Sequence, residues 1–170
     1  RLTPGAPYSI AGADFTNDGN IDLVVATSDS SKVSIMTGDG TGSFPGYQTI
    51  EIGGYPQEVV AADFNNDGWL DIVQTDMVPE DLEERKRMTG AMTHNFFMER
   101  SRRGFRPDYS SNSLQLNVGV THNGDVLFSE ISHLAGIPYT SWTWSPLFVD
   151  LDNDGYKDIH ITNGYPKAVI

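Results

Sequence analysis

Apolar and polar residues alternate over short stretches along most of the chain, which is the pattern of half-buried β-strands. Such stretches lie at residues 32–37, 47–52, 113–118 and 126–131, and short apolar runs that are also strand-like lie at residues 59–62 and 147–149. Glycine-containing turns at residues 38–42 and 122–125 separate the first pair of stretches and the 113–118/126–131 pair. The pattern therefore predicts an all-β protein built from antiparallel meanders.

One segment departs from this pattern. From Pro79 to about residue 103 the apolar residues recur at helical spacing, and a charged face accompanies them. The apolar positions are Leu82, Met88, Met92 and Phe96. Proline is favoured in the first turn of a helix, so Pro79 suits the start of this one. The sequence predicts a short helical insertion over about residues 79–106 of an otherwise β-rich chain.

The strongest regularity is a sequence that occurs three times, at residues 13–26, 62–75 and 149–162. Its frame is Asp-apolar-(Thr/Asn/Asp)-Asn-Asp-Gly-x-x-Asp, followed by alternating apolar residues. The apolar second residue is Phe15, Phe64 or Leu151, which we expect to be buried. Strand-like residues flank the nine-residue loops, so each copy is predicted to be a β-hairpin whose turn is the acidic loop.

The loops also organise the charge of the protein. The 170 residues include 23 Asp and Glu against 11 Lys and Arg, a formal net charge of −12, and ten of the acids lie in the three loops. Such a charge opposes binding to nucleic acid or to an anionic membrane, and no apolar run is long enough for direct membrane insertion. The absence of cysteine excludes disulfides, thiolate nucleophiles and Cys-ligated metals.

Crowded carboxylates in each loop predict a bound cation, since like charges a few ångströms apart oppose folding. Side-chain oxygens at loop positions 1, 3, 5 and 9, a backbone carbonyl at position 7 and glycine at position 6 suit a hard ion. Calcium is favoured because it accepts six to eight oxygens in loose geometry, whereas magnesium requires an octahedron. Zinc and copper are disfavoured because the loops lack His and Cys.

About three structural Ca²⁺ ions are therefore expected, in loops 14–22, 63–71 and 150–158. The predicted ligands are Asp14, Thr16, Asp18, Asn20 and Asp22, then Asp63, Asn65, Asp67, Trp69 and Asp71, then Asp150, Asp152, Asp154, Tyr156 and Asp158. The third loop has four carboxylates and the others three, so it should bind most tightly. The alternative, that Asn-Asp-Gly is only a hairpin turn, is disfavoured by three copies in one register.

Loop spacing indicates the architecture. Asp14 and Asp63 are 49 residues apart, which fits one four-stranded propeller blade, and the 87 residues from Asp63 to Asp150 leave room for the insertion. About three blades cannot close a ring. Residues 1–170, which begin with Arg1 rather than Met, are therefore expected to be part of a larger, about seven-bladed propeller.

The three loops, with Gly-Asp-Gly-Thr-Gly-Ser-Phe at residues 38–44, resemble the FG-GAP/VCBS repeats of integrin-α-type β-propellers. The second half is similar to the FG-GAP proteins that carry an ASPIC/UnbV domain, a group that includes cartilage acidic protein. The residues that carry this similarity are Thr75-Asp76-Met77-Val78-Pro79-Glu80-Asp81, Asn112-Ser113-Leu114-Gln115-Leu116-Asn117, Phe128-Ser129-Glu130-Ile131, Leu134-Ala135-Gly136-Ile137 and residues 141–148. The resemblance implies a calcium-stabilised propeller of a secreted or cell-surface protein that serves binding, with no catalytic residues to transfer.

Two further constellations have competing interpretations. Seven of the basic residues cluster in the insertion: Arg85, Lys86, Arg87, Arg100, Arg102, Arg103 and Arg106. Acids beside the first of them favour a solvated, internally paired helix face over nucleic-acid binding, and a protein-binding role stays open. Trp142 and Trp144 would share one face of a strand, where packing between blades is favoured over a carbohydrate-stacking platform.

The expected function is that of a non-enzymatic, calcium-binding interaction scaffold in an exported protein, whether extracellular, periplasmic or at the cell surface. Its expected partners are a protein or carbohydrate ligand and the other blades of its parent chain. The alternative is a propeller module of an extracellular enzyme that acts on polysaccharide. Glycosidase chemistry needs two opposed carboxylates, and the sequence pairs none.

Overall fold

The structure is a computed structural model that describes residues 7–27, 31–52, 56–88, 102 and 110–164. Its strands form three antiparallel sheets, here called the first, second and third units. The first unit contains β1 (Pro7–Ala13), β2 (Asp22–Thr27), β3 (Lys32–Thr37) and β4 (Gly46–Glu51). The second contains β5 (Glu58–Ala62), β6 (Asp71–Thr75), β7 (Ser113–Val120) and β8 (Val126–Glu130), and the third contains β9 (Thr143–Val149) and β10 (Asp158–Asn163).

In the first two units the strands follow one another in chain order, as the meander pattern predicts. The all-β prediction is confirmed, and each acidic loop joins the first and second strands of its unit. Two of the expected four-stranded units are present. The third contributes two strands among the residues that the structure describes.

The units pack against one another through their sheet faces. Strands β2 and β6 are inner strands covered on both faces, so they are buried along almost their whole length, whereas β1 and β4 alternate between exposed and half-buried residues. The core between the first two units is made of Phe15, Val24, Ala26, Val33, Ile35, Ile52, Val59, Ile72 and Val126. The second and third units meet at Phe64 and Phe148, whose ring centroids are 5.9 Å apart.

The predicted insertion begins with helix α1 (Leu82–Met88), between β6 and β7. Asp81 caps it, because its Oδ1 accepts a hydrogen bond from the amide of Glu84 at 2.9 Å. The expected place of Pro79 in the first turn is therefore wrong, since Asp81 is the N-cap and the helix begins at Leu82, three residues after Pro79. The rest of the predicted helix, with Met92 and Phe96, lies outside the described residues.

Arg85 is not simply part of a solvated, acid-paired helix face. Its guanidinium carbon lies 3.7 Å from the centroid of the Tyr139 ring, which makes a cation–π contact. This contact fixes the start of the insertion against the segment that precedes β9.

The turn between β3 and β4 is organised by Asp39. Its Oδ1 accepts hydrogen bonds from the Thr41 hydroxyl at 2.6 Å, the Thr41 amide at 2.9 Å and the Ser43 amide at 3.3 Å. These bonds favour the ionised carboxylate, and the bond from the Thr41 hydroxyl is the largest cause of a lowered pKa for Asp39.

Asp39→Asn should therefore destabilise the protein slightly in a pH-dependent way. A lowered folded-state pKa adds stability above the ordinary value of 3.8, and that stability is lost as the pH falls through the folded-state pKa. We expect the melting temperature to fall by at most about 2 °C at neutral pH. The difference in melting temperature between Asp39→Asn and wild type should vanish in acid. A difference that stays constant with pH would show that the ionised carboxylate of Asp39 does not stabilise the turn.

Candidate metal centres

The three acidic loops share one backbone conformation. The asparagine at position 4 has a positive φ in every copy: 59° at Asn17, 57° at Asn66 and 61° at Asn153. The glycine at position 6 has φ between 85° and 93° in every copy, a conformation that side chains strongly disfavour. The path of the chain therefore favours the asparagine and the glycine of the frame, and it turns the backbone amides of positions 5 and 6 toward the first aspartate.

The same hydrogen bonds recur within each loop. The position-1 carboxylate accepts from the amides of positions 5 and 6, at distances between 2.8 and 3.2 Å. The position-5 carboxylate accepts from the amide of position 7 at 2.8 Å in all three loops. The position-9 carboxylate accepts from the amide of position 2 at 2.8 to 2.9 Å. The aspartates at these positions are thus held inside the loop by backbone donors.

In the first two units the position-9 aspartate also ties its loop to the third strand or to the residue that directly follows it. Oδ1 of Asp22 accepts from the Gly38 amide at 2.8 Å, and Oδ1 of Asp71 accepts from the Asn117 amide at 2.8 Å. Both aspartates are fully buried. Asp158 has no such bond among the described residues, where the third unit has no third strand.

Burial and crowding affect the aspartates differently. Burial raises the pKa of Asp71, and repulsion from the two other carboxylates of its loop raises it further, whereas hydrogen bonds from Asn117 and Phe64 lower it. The pKa of the exposed Asp18 is lowered, mainly by the backbone hydrogen bond from Asn20. Ionisation of Asp71 is therefore less favourable in the folded state than in the unfolded chain.

Carboxylates converge most closely in the third loop. Asp150, Asp152 and Asp158 each offer an oxygen, and these oxygens lie within 4.8 Å of one another. No other group of three or more acidic or histidine side chains this close occurs in the described part of the chain. The set consists of hard oxygen donors, which fits Ca²⁺. Asp154, also a predicted ligand, is not in the group and instead accepts from the Tyr156 amide.

In the first two loops a neutral side chain occupies position 3 and bonds to the carboxylates. Thr16 places its hydroxyl 3.3 Å from Oδ2 of Asp22 and 3.5 Å from Oδ1 of Asp14. Asn65 donates from Nδ2 to Oδ2 of Asp67 at 2.9 Å. These two loops therefore hold fewer charges to be compensated, although their predicted ligands belong to the same hydrogen-bonded frame.

Two interactions of the loops were not predicted. The position-4 asparagine binds the next loop: Nδ2 of Asn17 donates to the carbonyl of Gly68 at 3.2 Å, and Nδ2 of Asn66 donates to the carbonyl of Gly155 at 2.7 Å. The sequence signal was an asparagine in all three copies at a position that supplies no metal ligand. We call these two hydrogen bonds the loop latches.

The second unpredicted interaction is made by Asn117, which is fully buried on β7. Its Nδ2 donates to the carbonyls of Phe15 at 3.1 Å and Leu70 at 3.2 Å, so one side chain fixes the first loop and the end of the second. No local signal marks it, because it lies within an ordinary alternating strand.

Two predictions about aromatic and apolar residues need correction. Trp142 and Trp144 do not alternate along one strand, because Trp142 has a φ of 53° and β9 begins after it. Trp144 is 59% exposed and lies over Gly164, so it does not fill a core between the described units. Phe15 is buried as expected, but Leu151 is 65% exposed, since no described unit packs beyond the third.

Comparison with protein families gives one match. A family model described as an FG-GAP-like repeat matches residues 14–73, which include the first two acidic loops and the strands between them. No protein of curated function matches the chain. The match supports the FG-GAP repeat family for this part of the chain and, with the antiparallel β-sheets, suggests a β-propeller-like interaction module. Among the described residues, no helix is long and apolar enough to cross a membrane.

Proposed function

We propose that the protein is a calcium-stabilised segment of a larger β-propeller and acts as a non-enzymatic interaction scaffold. The observation that carries this proposal is the threefold acidic loop, which keeps one set of internal hydrogen bonds in three successive units. A hairpin turn alone would not need an aspartate at positions 1, 5 and 9 of each copy. Cation binding explains why these positions are acidic and why they are held facing inward.

In the third loop, Asp150, Asp152 and Asp158 would hold the ion, with the Tyr156 carbonyl and Asp154 as further oxygen ligands. In the other loops Thr16 and Asn65 would supply neutral oxygens beside three carboxylates each. The bound ion would compensate the charges that crowd each loop, and its role is structural. Weak sites of this kind need the millimolar calcium found outside the cytosol, so we place the protein in an extracellular, periplasmic or cell-surface setting.

An exposed sheet face supports a larger propeller. On β8, Val126 and Phe128 face the core shared with the first unit, whereas Leu127 between them is 46% exposed. Val118 on β7 is 60% exposed as well. Further blades of the parent chain would cover these residues as the second unit covers the first.

We propose that the ligand of such a scaffold is a protein or a glycan. Trp144 offers an exposed indole suited to stacking on a sugar ring. The similarity to proteins with an ASPIC/UnbV domain stays a prediction from the sequence.

Terbium luminescence can test metal binding loop by loop. Tb³⁺ occupies oxygen sites suited to Ca²⁺, and its emission is sensitised by a nearby aromatic side chain. Position 7 is Trp69 in the second loop, Tyr156 in the third and Asn20 in the first. We expect tryptophan excitation to give terbium emission that calcium competes away and that Trp69→Phe removes.

The control is Asp67→Ala, which keeps Trp69 but deletes a predicted ligand of the same loop. It should reduce tryptophan-sensitised emission while leaving the emission sensitised by Tyr156. Emission that neither calcium competition nor Asp67→Ala affects would show that the loops are not cation sites.

A further inference from the structure

The loop latches connect the three acidic loops in series. In both latches a position-4 asparagine donates to the carbonyl of the position-6 glycine of the following loop. The bond recurs between the first and second units and between the second and third, although the position-3 ligands of the loops differ. It is therefore a property of the junction between units and not of a single loop.

Each latch joins groups that lie next to predicted metal ligands. Asn66 stands between Asn65 and Asp67, the ligands at positions 3 and 5 of the second loop. Its acceptor, Gly155, uses its own amide to bind Oδ2 of Asp150 at 3.0 Å, and its carbonyl immediately precedes Tyr156 at position 7. The Asn66 latch thus links the ligand shell of one loop to that of the next.

We propose that Asn17 and Asn66 couple the cation sites, so that an ion in one loop raises the affinity of the neighbouring loop. This inference rests on the proposed calcium binding. An ion that orders positions 3 and 5 also orders the asparagine between them. That asparagine then holds the glycine of the next loop, which loses less conformational freedom when its own ion binds. Nearest-neighbour coupling of this kind is expected in repeat proteins, and it acts equally in both directions.

The third loop provides a matched control. Asn153 has the same loop position and nearly the same φ as Asn66, 61° against 57°, but its side chain makes no hydrogen bond among the described residues. Glycine tolerates this backbone conformation, so Asn66→Gly and Asn153→Gly remove the same amide without introducing strain. Both residues are exposed, and neither substitution disturbs the core.

Calorimetric titration of wild type, Asn66→Gly and Asn153→Gly with calcium tests the coupling. We expect wild type to bind with a Hill coefficient above one. Asn66→Gly should weaken calcium binding by about fivefold, the worth of one net hydrogen bond, and lower the Hill coefficient. Asn153→Gly should titrate like wild type, and Asn17→Gly, which removes the longer latch, should have a smaller effect than Asn66→Gly.

The outcomes separate the two proposals. Calcium binding by wild type with the same Hill coefficient in Asn66→Gly would overturn the coupling and leave the cation sites standing. Equal effects of Asn66→Gly and Asn153→Gly would also overturn it, because the latch would then be irrelevant. Failure of wild type to bind calcium would overturn the proposed function, and the coupling with it.

Discussion

Removal of calcium by a chelator is expected to lower the melting temperature by roughly 10 °C. Sites that bind at about 10⁻⁴ M each stabilise the folded state by about 1.4 kcal/mol in millimolar calcium, so three sites contribute about 4 kcal/mol. A loss of this size is a large part of the stability of an ordinary domain. Thermal unfolding followed by circular dichroism, in calcium and then in excess EGTA, measures the difference directly.

The loops should contribute unequally to this loss. Asp152→Ala removes one of the three converging carboxylates of the third loop, whereas Thr16→Ala removes a neutral hydroxyl from the first. We therefore expect Asp152→Ala to lower the melting temperature in calcium more than Thr16→Ala does, and the two variants to be similar in EGTA. If the thermal unfolding midpoint of the wild type is the same in calcium and in EGTA, calcium does not stabilise the fold.

Asp71→Ala should strongly destabilise the folded protein. The buried carboxylate of Asp71 accepts from the amides of Phe64 and Asn117, both at 2.8 Å, and its loss leaves two inward-facing donors without a partner. We expect the free energy of unfolding to fall by about 3 kcal/mol, since each unsatisfied buried group costs about 1 to 3 kcal/mol. Denaturant unfolding in EGTA measures this loss without the contribution of a bound ion.

Asp158→Ala is the matched control, since Asp158 occupies the same loop position but accepts only from Leu151 in the described structure, at 2.9 Å. Asp158→Ala should lower the free energy of unfolding in EGTA by about 1 kcal/mol or less. Asp71→Asn keeps the shape and one acceptor while removing the charge that burial disfavours, so it should be milder than Asp71→Ala. Equal decreases in unfolding free energy for Asp71→Ala and Asp158→Ala would show that the hydrogen bond from Asn117 to Asp71 does not stabilise the fold.

The alternating pattern located the strands well. The predicted stretch at residues 32–37 is β3 itself, and the stretches at 113–118 and 126–131 differ from β7 and β8 by two residues or fewer. The start of α1 was misplaced because an aspartate cap competes with proline as a helix start signal, and sequence spacing does not show which one the chain uses.

The acidic loops could be predicted from the sequence alone, because their structure is local. Every bond of the shared frame joins residues at most seven positions apart, and the asparagine and glycine conformations depend on the loop alone. The contacts between the loops and the rest of the fold, in contrast, depend on residues that are far apart in the sequence. The Asn66 latch joins residues 89 positions apart, and the bond from Asn117 to the carbonyl of Phe15 spans 102. The burial of Asp71 and the exposure of Leu151 likewise depend on which unit packs beside each loop, and local alternation carries no information about that neighbour.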